Sequence, residues 1–89
     1  MARDQLQTAS EALRRASELA DGDAARRLTD QSNQFETLAT RDSGPDHGRL
    51  ARHTNALTEL RDELDGEAAA QVEAAIDAVK QYRETVEGV

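Results

Sequence analysis

The sequence predicts an all-α protein, an antiparallel four-helix bundle built from two similar helical hairpins, and three observations carry that reading. Asp21-Gly22-Asp23-Ala24-Ala25 and Asp65-Gly66-Glu67-Ala68-Ala69 are near copies standing 44 positions apart. Sliding the chain by that offset aligns Leu6 with Leu50, Ala12 with Ala56, Leu13 with Leu57, Leu28 with Val72, Phe35 with Val79 and Leu38 with Tyr82. The matches fall on apolar positions and the turn, which points to an internal duplication. Finally, apolar residues recur at spacings of three and four through four segments, and the single Ser/Gly/Pro cluster, Thr40 to Asp46, lies between the two copies.

Each element is justified by its own residues. Asp4 with Gln7 forms a capping-box pattern, and Leu6, Ala9, Leu13, Ala16 and Ala20, widened by Ala12 and Leu19, make the stripe of a first helix over about residues 4–20. Gly22 supplies a residue able to take the left-handed conformation, and Asp23 can cap the next helix. The second helix, about 24–39, shows Leu28, Phe35 and Leu38, with Gln31 or Ser32 where an apolar residue belongs. That is the weakest stripe of the four, and such a helix depends on tertiary packing.

Pro45 and Asp46 suit the first turn of a third helix, capped by Ser43 or Asp46. This helix carries Leu50, Leu57, Leu60 and Leu64, with His53 or Thr54 at the intervening position, and Gly66 closes it. The fourth repeats Val72, Ile76, Val79, Tyr82 or Arg83, and Val86 in a heptad-like seam. Helices of this size are about 24 to 30 Å long. Matched lengths and short turns favour antiparallel neighbours, hence one domain over 1–89 with hairpins at about 4–39 and 46–87. The alternative arrangement splays the hairpins about the Ser43-Gly44-Pro45 loop and completes the bundle with a second chain.

Composition bounds the function. Of 89 residues 37% are hydrophobic, and about half of those are alanine, so the core is thin and either packs helices closely or borrows burial from another copy. The absence of cysteine removes disulfides, thiolate metal sites and cysteine nucleophiles. No stretch approaches the roughly 18 apolar residues of a membrane span, and the first residues lack the apolar run of a secretory signal, so the expected location is the cytoplasm. Eighteen acids against 11 bases, a net charge of −7, argue against nucleic acid as a partner. Lys80 is the sole lysine beside ten arginines. With abundant Asp, Glu and Ala, this usage predicts a halophilic cytoplasm, where carboxylates hold water and a Debye length of about 3 Å screens self-repulsion.

No catalytic constellation accompanies the fold. There is no Ser/His/Asp order, phosphate-cradling glycine loop or dinucleotide fingerprint, and acids on solvated helix faces lack the desolvation a catalytic carboxyl needs, so no enzyme is expected. The segment from Gly44 to His53 is the most able to bind something. His47 and His53, six apart, diverge by about 120° around a helix, so joint metal ligation is not expected, nor is a cofactor. His53 also borders the leucine stripe, which favours packing over phosphotransfer. Arg49 and Arg52 at the start of a helix make, with His47 and His53, a candidate anion- or partner-binding patch. Leu19, Leu60 and Tyr82 are candidate interface residues, because their places on the stripes are least certain.

The Asp-Gly-(Asp/Glu)-Ala turns, the run from Thr40 to Arg52 and the Glu84-Thr85-Val86-Glu87-Gly88-Val89 ending resemble a family of small, acidic, helical haloarchaeal proteins with no assigned activity. The resemblance spans nearly the whole chain and implies a halophilic cytoplasm; it brings no catalytic residues. The expectation is therefore a non-enzymatic helical interaction module, with a protein partner or a second copy as in a homodimer. The competing expectation is an anion- or phosphoryl-binding bundle using the His47–His53 segment.

Overall fold

The four expected segments are all helical in the computed structural model, which describes residues 2–40 and 47–87, with side chains described over 4–39 and 50–84. They are α1 (Ala2–Leu19), α2 (Gly22–Thr40), α3 (His47–Glu63) and α4 (Gly66–Glu87). Helix α1 begins two residues before the expected cap, so Asp4 lies in its first turn. There its carboxylate opposes the positive end of the helix dipole. Asp23 and Glu67 take the same place in α2 and α4. The expected caps Ser43 and Asp46 lie outside the described residues.

Both turns are made the same way. Gly22 has φ 61° and Gly66 has φ 58°, and they are the only described residues with positive φ. A side chain in that region clashes with its own backbone, which is why glycine recurs at both places. The last turn of α3 tightens, with the Leu64 N–H donating to the Arg61 carbonyl at 3.1 Å.

Burial repeats with the sequence. In the first hairpin Leu6, Leu13, Leu28 and Phe35 are buried, and so are Leu50, Leu57, Val72 and Val79, each 44 positions on. Ala9 corresponds to His53, Ala16 to Leu60 and Ser32 to Ile76, all six buried. The two hairpins solve one packing problem with different side-chain volumes. Their stripes meet in a single core running from Leu6 to Tyr82, with Ala20, Leu38 and Leu64 packed against it. The molecule measures 38 × 20 × 19 Å, a bundle of helices lying side by side along its long axis.

The seams between neighbouring helices are unequal. Helix α1 packs extensively on both α2 and α4, α3 packs on α4, and α2 meets α3 only sparingly. Side-chain size explains this. Ala9, Ala12 and Ala16 on α1 and Ala75 and Ala78 on α4 are all buried, and small residues let helix axes approach. Helix α3 presents His53 and Leu60 where α1 has Ala9 and Ala16, and α2 presents Gln31 where α4 has Ala75. Larger groups on that side hold α2 and α3 further apart.

Candidate functional site

The residues that interrupt the apolar stripes of α2 and α3 are brought together. His53 Nδ1 and Gln31 Oε1 lie 2.7 Å apart across the α2–α3 seam. With the amide oxygen as acceptor, Nδ1 carries the hydrogen. His53 is buried, Gln31 half-buried. The Phe35 ring, fully buried one turn beyond Gln31, tilts against the imidazole with centroids 5.0 Å apart, a geometry favourable to aromatic pairs. Farther along the seam Arg27 Nη1 donates to Glu63 Oε2 at 2.9 Å, both side chains about half exposed. This seam is therefore held by polar contacts around one aromatic ring.

A second buried polar contact ties α1 to α2. Ser10 Oγ donates to the Ser32 carbonyl and Ser32 Oγ to the Ser10 carbonyl, each at 2.9 Å. Two hydroxyls buried this deeply require partners, and the reciprocal arrangement supplies both without adding volume. Ser10 was not legible as a site residue. A small polar residue inside an alanine-rich stripe gives no signal unless its partner is known.

Across the other seams Arg14 Nη2 meets Glu36 Oε2 at 3.1 Å, and Arg61 Nη1 meets Glu73 Oε2 at 2.6 Å. Glu73, by accepting that hydrogen bond and by its charge, raises the Arg61 pKa further above its already high value. Arg26 pairs with Asp23 one turn earlier on α2. Exposed pairs of this kind orient surfaces more than they stabilise them.

The residues expected to bind an anion or partner are divided by the fold. His53 is turned into the α2–α3 seam and Arg52 is exposed, while the side chains of His47 and Arg49 lie outside the described residues. Of the two imidazole nitrogens of His53, Nδ1 is engaged by Gln31 inside the bundle. The three candidate interface residues also part company. Leu60 is 1% exposed and Tyr82 6%, both in the core, because each continues a stripe that the neighbouring helices cover. Leu19 is 52% exposed, the one large hydrophobic side chain among the described residues left to solvent. No helix is long and apolar enough to cross a membrane, and no group of three metal-binding side chains occurs among the described residues.

These features define a four-helix bundle of two near-repeated hairpins, closed by small residues on one side and by a polar latch on the other. The chain belongs to DUF7553, a family of unknown function, whose model matches residues 1–85. No curated protein and no solved structure matches it.

Proposed function

We propose that the protein is a non-enzymatic helical interaction module that works in a halophilic archaeal cytoplasm, docking on a protein partner or on a second copy of itself. The observation that carries this reading is Leu19. It stands at the end of α1 beside the Gly22 turn, exposed while the α1 residues Leu6, Leu13 and Ala16 are fully buried. Its neighbours along the chain Glu18, Asp21 and Asp23 are exposed as well, so the apolar contact point lies in a polar stretch. Such a point resembles the anchor-and-rim arrangement of protein interfaces. The described buried polar side chains support the same reading, since Ser10, Ser32 and His53 are engaged in helix-to-helix bonds.

Composition supports the setting. Every described acid except Glu73 is exposed, and arginine outnumbers lysine ten to one. A surface of that kind suits molar salt, where repulsion between carboxylates is screened. The test is capture from a lysate held at molar KCl, with the wild-type chain, Leu19→Asp and the exposed control Thr8→Asp immobilised in parallel. A partner retained by wild type and Thr8→Asp but lost by Leu19→Asp supports the reading. Equal retention by all three removes Leu19 from it. Sedimentation of the same proteins separates a foreign partner from self-association.

A further inference from the structure

We infer that the bundle opens like a book, with the α1–α4 interface as its spine and the α2–α3 seam as its free edge, and that the Gln31–His53 contact is the latch of that edge. The inference deepens the interaction-module reading and rests on it for its use, since opening is what would vary the surface offered to a partner.

The 44-residue repeat makes the comparison internal to the molecule. The seam α1–α4 and the seam α2–α3 are related by the 44-residue shift, so each position on one has a counterpart on the other. On α1 and α4 the counterparts of His53 and Gln31 are Ala9 and Ala75, both at 0% exposure. Close-packed methyl groups lose their contacts outright when they part, and water offers them nothing in exchange. Across α2 and α3 the contacts are of another kind. A hydrogen bond between side chains is exchanged for bonds to water at small net cost, and the Arg27–Glu63 pair, about half exposed on both sides, is already largely hydrated.

Gln31 is the point of entry. It is half-buried, so water reaches the seam beside the bond it makes. Beneath it lies Phe35, fully buried and in contact with His53. Separation of α2 from α3 therefore uncovers an aromatic ring first, while Leu6, Leu13, Val72 and Val79 stay covered between the remaining helices. Openings of this kind have a lower free energy than global unfolding and are confined to one cooperative unit.

Residue-resolved amide hydrogen exchange of the full chain at molar KCl tests this without any partner. Once parted, α2 and α3 lose tertiary contacts that keep them helical, so their interior amides are expected to exchange through an opening that leaves α1 and α4 more protected. Gln31→Ala, at a half-buried position that tolerates truncation, should speed exchange in α2 and α3 about three- to tenfold and preserve the gap in protection between them and α1 and α4. Arg27→Gln, which keeps the latch, should have a smaller effect in the same helices. Equal protection of all four helices in wild type overturns the inference, as does a Gln31→Ala protein in which exchange of α2 and α3 is unchanged. Capture experiments bear on the interaction-module reading alone, so either idea can fail without the other.

Discussion

His53 Nδ1 and Gln31 Oε1 meet at 2.7 Å, whereas the positions 44 residues away from each hold alanine, Ala9 and Ala75. Two repeat pairs that set a polar group against alanine supply one residue each to this contact. Gln31→Ala removes the amide acceptor from the imidazole at a half-buried place that water can reach, and should cost about 0.5 to 1.5 kcal/mol. His53→Ala removes the ring from Phe35 as well and should cost more. The double variant should lose less than the sum of the two, with a coupling of about 0.5 kcal/mol or larger. Urea unfolding of the four proteins at one KCl concentration measures this, and simple additivity would show that the pair is not coupled.

Ala16 and Leu60 occupy corresponding positions of the two hairpins, fully buried in both. Exchanging their types should fail in opposite ways. Ala16→Leu forces a larger group into the close α1 packing and should destabilise by about 1 to 3 kcal/mol. Leu60→Ala opens a cavity and should cost about 2 to 5 kcal/mol. Thermal or urea unfolding decides it. An Ala16→Leu protein as stable as wild type would mean that α1 is not tightly packed.

Gly22 and Gly66 should respond alike to substitution, because each holds a positive φ and a Cβ built on either meets nothing within 4 Å. The penalty of alanine is then one of backbone conformation only, about 1 to 2 kcal/mol at each site. Asparagine, which tolerates that conformation better, should lose less. A large difference between the two sites would contradict the equivalence of the turns.

Most of the fold could be read from the residues, and the reason is the repeat. Two Asp-Gly turns and four stripes of leucine and alanine leave little freedom for anything other than paired hairpins. The site was only half visible. Gln31 or Ser32 and His53 or Thr54 stood out as breaks in their stripes, but periodicity does not say which helix lies across a seam, so the meeting of Gln31 with His53 was hidden. Leu60 and Tyr82 were ambiguous for a related reason: a stripe read from spacing has soft edges, and only the neighbouring helices decide how wide an arc is covered. Leu19 lies beyond that arc, at the last residue of α1.

Salt should act on the whole chain. With a net charge of −7 and nearly all described carboxylates exposed, repulsion opposes folding in dilute buffer. Stability and helix content should rise as KCl is raised toward molar concentration, as monitored by circular dichroism during urea titration. The Arg14–Glu36 and Arg27–Glu63 pairs oppose this trend weakly, since exposed pairs contribute about 0 to 1 kcal/mol each and are screened too. Stability independent of salt would remove the halophilic interpretation of the surface.

The unequal seams admit one direct measurement, made simple by a chain without cysteine. Spin labels on Gln34 and Asn55 report across α2 and α3, and labels on Glu11 and Asp77 across α1 and α4; all four positions are exposed. Pulsed dipolar spectroscopy at molar KCl should give a broad distance distribution for the first pair and a narrow one for the second. Distributions of equal width, or a broader one across α1 and α4, would contradict a bundle with an alanine spine and a polar free edge.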